Sequence, residues 1–137
     1  MLQKQLINNK MFSPDIENPI DQILMGSFCK DCNTIYFPQK RVCPNCMHID
    51  RMELKELSKT GRLVSFTTSH VGPPGFEPPY AYGWIDLPEG IRLFSLLTDC
   101  KPLEEKLRLD MPVEVVMDKI KVDSNGTEIY GYKFKPL

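Results

Sequence analysis

The chain has 137 residues, with 42% hydrophobic and 26% charged side chains, which is about one domain's worth of ordinary globular composition and excludes a wholly disordered or fibrous chain. Seventeen basic against eighteen acidic side chains leave a net charge of −1, which argues against a protein whose main task is gripping phosphate backbones. No apolar run approaches the ~18–20 residues that span a bilayer, and Met1-Leu2-Gln3-Lys4-Gln5-Leu6 lacks the apolar core of a secretory leader, so a cytoplasmic location is expected.

Residues 1–27 are expected to form a segment of two short helices. The second is better marked: Asp15 or Asn18 to cap it, Pro19 in its first turn, Ile20, Ile23 and Leu24 at helical spacing, and Gly26 at its end. With few apolar residues of its own, the segment is expected to dock on a partner or on the rest of the chain.

Residues 28–59 read as a zinc ribbon. Cys29-Lys-Asp-Cys32 and Cys43-Pro-Asn-Cys46 form a C-x2-C-x10-C-x2-C pattern. Each C-x-x-C makes a tight knuckle that points two sulfurs at one place, and two facing knuckles make the tetrahedral thiolate cage that Zn²⁺ prefers. Between them, Thr34-Ile35-Tyr36-Phe37 has strand composition and Pro38 stops it. A disulfide reading would need an oxidising compartment, and a thioredoxin-type dithiol comes singly, near a βαβ pattern. Four thiolates also hold iron in rubredoxin-like spacing, but structural zinc is the expected cofactor. Such a closed site leaves no coordination position for catalysis. Met52 and Leu54 alternate with polar residues in a strand leading out of the ribbon.

Residues 60–137 read as all-β. Arg62–Val71, Tyr80–Leu87 and Ile91–Leu97 are expected strands, the last two joined by a Pro88-Glu89-Gly90 hairpin turn. The loop Gly72-Pro-Pro-Gly-Phe-Glu-Pro-Pro79 separates the first two. Pro102–Leu107 reads as a short helix, and Val113–Met117 and Glu128–Phe134 close the fold across the turn Asp123-Ser-Asn-Gly126. Five strands with a short helix before the fourth fit an OB-fold barrel, though other small barrels share that count. Trp84, in mid-strand, is expected in the core. Cys100 is expected to be a buried small hydrophobe. His70 is read as a hydrogen-bonded structural histidine, since no second catalytic group is placed beside it by spacing. His48 is not needed as a ligand beside four cysteines.

A ribbon followed by such a barrel resembles the rubredoxin-like zinc-ribbon plus OB-fold proteins associated with acyl-CoA enzymes, once classed as a domain of unknown function. The likeness runs over residues 20–136. It is carried by Gly26 before Cys29, Tyr36-Phe37-Pro38, Cys43-Pro-Asn-Cys46, Gly61-Arg-Leu-Val-Ser-Phe-Thr67, Gly75-Phe76, Pro79-Tyr80, Leu87-Pro-Glu-Gly90 and Asp110-Met-Pro-Val-Glu-Val115. The chain departs from that pattern at Gln39-Lys40, where the family usually has Pro-Arg, and at Ser58-Lys59, where it has Ser-Gly. Asn33 and Met47 stand where a glycine commonly follows each knuckle, and of the two only Asn readily takes left-handed geometry.

The resemblance implies a mainly β architecture: short N-terminal helices, zinc ribbon and five-stranded barrel. It also implies a non-catalytic accessory subunit in a hetero-oligomer with a thiolase-fold enzyme, or a related aldolase or hydratase, acting on CoA thioesters. The settings it brings range from archaeal acetoacetyl-CoA thiolase with hydroxymethylglutaryl-CoA synthase, through steroid side-chain cleavage, to anaerobic aromatic catabolism, including a benzoylsuccinyl-CoA thiolase. A CoA thioester shared at such an interface needs cations for its phosphates and apolar faces for its rings. The candidates for CoA or partner binding are Lys40, Arg41, Arg62, Phe76, Tyr80, Tyr82 and Arg92. The proline-rich loop with Phe76 at its tip is stiff, so docking it costs little. The plainer readings are solvated surface charge for the cations and a Phe76 tucked onto its own barrel. The alternatives are a single-stranded nucleic-acid binder, which the net charge opposes, a stand-alone acyl-CoA enzyme, which lacks a nucleophile–base pair, and an iron-bearing electron carrier.

Overall fold

A computed structural model describes residues 4–14, 16–72, 78–101 and 103–137, leaving aside the side chains of Lys4, Asn9, Ile20 and Glu104. The proline-rich loop tip that carries Phe76 lies outside these residues.

Among the described residues, nine strands form two sheets. β1 (Lys4–Leu6) leads in, and β2 (Met25–Cys29), β3 (Thr34–Tyr36) and β4 (Met52–Glu56) form an antiparallel sheet in the order β3-β2-β4. The remaining elements are β5 (Thr60–Ser69), β6 (Tyr80–Asp86), β7 (Arg92–Leu97), the single-turn helix α1 (Leu103–Lys106), β8 (Pro112–Val122) and β9 (Glu128–Pro136). β5 pairs with β6 and β8, β6 with β7, β7 with β9 and β9 with β8, so five strands close on themselves as an OB-fold barrel does. The parallel closure comes at Leu97 opposite Phe134. β1 adds to the outside, parallel to β9.

The N-terminal segment is less helical than its periodicity suggests. It has two single turns of 3-10 helix, Asn9–Met11 and Pro19–Asp21. The second stops before Ile23 and Leu24 because their surroundings use the backbone otherwise. Phe12 bridges Leu24, the Leu24 carbonyl accepts the Leu57 N–H at 3.0 Å, and Gly26 lies inside β2. The segment docks on its own chain: Phe12, 1% exposed, joins the core, and Gln39 donates from its side chain to the Phe12 carbonyl at 2.8 Å.

Inward positions of the barrel strands, Leu63, Ala81, Ile85, Leu93, Leu97, Val113 and Phe134, form one apolar cluster. Phe12, Leu24 and Leu57 belong to it, and Ile35 and Phe37 of the ribbon pack against it. The Phe37 ring meets Tyr132 edge-on, centroids 5.9 Å apart. Ribbon and barrel therefore share a hydrophobic core, and the area removed from water couples their stabilities. Gly26 and Gly83 are among the glycines that permit close backbone approaches. A Cβ at Gly83 would overlap the Ser65 carbonyl oxygen, next to a bulge in β5, and a Cβ at Gly26 would sit 2.5 Å from the Tyr36 carbonyl.

Candidate metal centre and barrel face

Each knuckle closes by the same hydrogen bond. The Asn33 N–H donates to the Cys29 carbonyl and the Met47 N–H to the Cys43 carbonyl, both at 2.8 Å. Both closing residues are left-handed, with φ of 52° and 61°, so the positions where glycine is common impose that geometry whatever the side chain.

The two knuckles face each other. Cys29 Sγ lies 3.7 Å from Cys46 Sγ, and Cys43 Sγ 3.9 Å from Cys32 Sγ. All four sulfurs lie within 4.8 Å of one another. Disulfides have S–S near 2.05 Å, so these contacts are not bonds, and all five cysteines are free. A tetrahedron with Zn–S of about 2.3 Å has an edge of roughly 3.8 Å, which matches both distances. Cys29, Cys32, Cys43 and Cys46 thus fit a closed four-thiolate metal centre.

The electrostatics point the same way. The Cys46 N–H and then the Tyr36 hydroxyl stabilise the Cys43 thiolate and bring its pKa down to about 6. Tyr36, bonded to that sulfur at 3.5 Å, is pushed up to about 12. The His48 N–H lowers Cys46, but burial and the three neighbouring sulfurs outweigh it and push Cys46 up to about 12. Asn45 donates to Cys32 Sγ at 3.3 Å. Hydrogen-bond donors thus ionise one sulfur readily, while burial and the neighbouring sulfurs hold another neutral. A bound cation removes the conflict, since metal ligands must be deprotonated. With four protein ligands, it would supply folding energy and no open position.

His48 stands outside the cage, its Nδ1 3.1 Å from Asp31 Oδ2, and Arg51 Nε is 3.6 Å from the same oxygen. Residues flanking the second knuckle are thereby tied to the first. Cys100 is buried, and its thiol is pushed up by that burial. It lines a cavity of about 560 Å³ with Tyr80, Leu97 and Leu103 among its neighbours and no histidine.

The remaining candidates fall in three places. Lys40 and Arg41 line a shallow groove of about 640 Å³ on the ribbon, together with Lys10. Arg62 pairs with Asp110 at 3.3 Å, and Arg92 grips Asp86 through two nitrogens at 2.7 and 3.0 Å. That pairing pulls Asp86 below its ordinary carboxylate range. Tyr80 and Tyr82 stand on β6. Phe76 lies outside the described residues.

Trp84 is not in the core. It is 45% exposed and packs edge-on against Phe94, itself 46% exposed. The inward positions of β6 are Ala81, Gly83 and Ile85, so strand alternation sends Tyr80, Tyr82 and Trp84 outward. Across the strand pair, Trp84 is opposite Phe94 and Tyr82 opposite Leu96. The outer face of β6 and β7 thus carries a continuous aromatic row. Phe94 was absent from the sequence candidates; its alternation with Leu93 and Ser95 was the available signal.

Residues 21–53 match the rubredoxin-like zinc ribbon domain of ChsH2, and residues 54–118 its C-terminal OB-fold domain. The chain is 41% identical to a DUF35 domain-containing scaffold protein of Methanocaldococcus jannaschii, over 83% of this chain and 82% of that one. It is 34% identical to the benzoylsuccinyl-CoA thiolase subunit BbsA of Thauera aromatica, over 92% of this chain and 88% of that one. Among solved structures it is similar to a chain described as Ltp2-ChsH2(DUF35) aldolase, with a TM-score of 0.64, 31% identity, and coverage of 83% and 84%. With cage, barrel and sequence all in agreement, the chain belongs to the ChsH2-type DUF35 family, in which a rubredoxin-like zinc ribbon precedes an OB-fold domain.

Proposed function

We propose that the chain is a non-catalytic accessory subunit. It docks on a thiolase-superfamily enzyme and helps to form or gate that enzyme's acyl-CoA site, for cleavage or formation of a C–C bond in a CoA thioester. The observation that carries this reading is the near full-length likeness to proteins named as a scaffold protein and as a thiolase subunit. Similarity to a chain of an aldolase described with ChsH2 supports an enzyme partner. The chemistry of the chain agrees. Its metal centre is closed, and the described residues bring no histidine to the cavity of the one cysteine outside the cage. Half-exposed Trp84 and Phe94 supply the rigid apolar anchors typical of protein interfaces. Zinc in the cage is structural, and the enzyme partner carries the nucleophile and the base.

Affinity purification of the tagged chain from its own cells, with mass identification, tests the reading. A thiolase-fold protein in near-equal amount is expected, with CoA-thioester activity that falls when this chain is withheld. Phe76→Ala in the proline-rich loop is expected to lower that activity without releasing the partner. Co-purification of ribosomal proteins or nucleic acid in place of an enzyme would overturn it.

A further inference from the structure

The cations singled out in the sequence fall in two places, Lys40 with Arg41 and Arg62 with Arg92, and a different set forms a larger cluster. Lys101 ahead of α1, Lys119 and Lys121 on β8, and Lys133 on β9 line one groove of about 610 Å³, with Tyr80 on its wall. Two carboxylates compensate part of this charge: Asp118 is 3.1 Å from Lys133, and Glu128 is 3.7 Å from Lys119. Lys101 and Lys121 have no carboxylate partner among the described residues. Like charges gathered in one concavity repel, and the concave wall focuses their field on whatever enters. A bulge lies between Lys119 and Lys121, a feature enriched beside ligand sites.

The groove is bounded by the start of β6, the end of β7 and the facing arms of the β8–β9 hairpin. Tyr80 also begins the aromatic row. Its ring lies 6.1 Å from Tyr82, which lies 5.4 Å from Phe94. A phosphate-seeking groove with a flat ring on its wall asks for a ligand that has both phosphates and a planar base. The groove has the size of a small-ligand site.

We propose that this groove binds the phosphates of a nucleotide-bearing small ligand, whose base rests on Tyr80. The inference deepens the acyl-CoA reading and rests on it, the ligand there being the nucleotide end of CoA. A free nucleotide presents the same chemistry.

The test is calorimetric titration of the zinc-loaded full chain, alone and with its co-purified enzyme partner. The probes are CoA, adenosine 3′,5′-bisphosphate, ATP, pantetheine and a twelve-residue oligothymidylate. CoA and the bisphosphate should bind alike and pantetheine should not. CoA tighter than ATP by about tenfold assigns the site to CoA, and equal binding assigns it to free nucleotide. The double variant Lys101→Gln/Lys121→Gln removes two exposed charges that the fold does not use, and should weaken CoA by about tenfold or more. Lys40→Gln/Arg41→Gln should leave the affinity unchanged, and circular dichroism should show both variants folded. The proposal fails if no phosphorylated probe binds in either state or if the Lys101/Lys121 variant binds as tightly as the parent. It also fails if the oligothymidylate binds far more tightly than the mononucleotides. An enzyme partner without nucleotide binding sinks this site alone. Nucleotide binding with no enzyme partner keeps the site and sinks the accessory reading.

Discussion

Met47 shows how backbone geometry overrules side-chain type at a metal knuckle. It is 68% exposed, yet it holds a φ of 61° at the residue whose N–H closes the knuckle on the Cys43 carbonyl. Left-handed geometry costs an L-residue about 1–2 kcal/mol, and part of the relief from a glycine is offset by the greater freedom of the unfolded chain. Met47→Gly is therefore expected to stabilise the zinc-loaded protein by about 0.5–1 kcal/mol. Thermal melts at fixed zinc concentration check this, and an unchanged or lower midpoint would refute it. Asn33, at φ 52°, should gain less from the same change, because asparagine tolerates this region. The residues of the cage are legible in the sequence because C-x-x-C spacing is local: each knuckle is made within its own few residues. Trp84 is not legible in this way. Alternation divides a strand into two faces, but only the neighbouring strands decide which face is covered.

Among the elements, β5 and β6 carry the tightest constraint. Gly83 faces Phe66 across the pair and leaves no room for a Cβ against the Ser65 carbonyl. Backbone cannot move aside as a flexible side chain can, so Gly83→Ala is expected to destabilise the barrel by about 2–3 kcal/mol. Denaturant unfolding measures it, and a loss below about 0.5 kcal/mol, the range of ordinary surface changes, would contradict the packing described. The barrel strands and turns are legible from period-two patterning and from the turn residues of Pro88–Gly90 and Asp123–Gly126. β8 runs on to Val122, beyond the Met117 expected from the sequence, because its outer half pairs with β9 rather than covering a core. The second N-terminal helix fails for a complementary reason. Its apolar spacing is helical, but the backbone beyond Asp21 is claimed by Phe12, Leu57 and the ribbon sheet.

At the scale of the molecule, the metal centre and the barrel are joined through apolar contacts. Phe37 against Tyr132, with Leu24 and Leu57 in the common core, puts ribbon residues on the barrel wall. Because binding energy at such a cage is folding energy, complete removal of zinc is expected to unfold the ribbon and also to lower the melting temperature of the barrel. Calorimetry before and after chelation tests this. Chelation that left the barrel transition where it was would mean that the shared core contributes nothing to it.

What the sequence determines alone is whatever depends on neighbours along the chain: the four-sulfur pattern, the strands and turns, the two-part architecture and the family. What only the tertiary structure decides is which distant residues meet. Lys101, Lys119, Lys121 and Lys133 form one groove because β8, β9 and the segment before α1 converge there. Lys40 and Arg41 line a ribbon groove, and Arg62 and Arg92 flank Asp86 on neighbouring barrel strands, so neither pair joins the lysine groove. Charge is written residue by residue, but a binding surface depends on distance in space, and that is set by how the barrel closes.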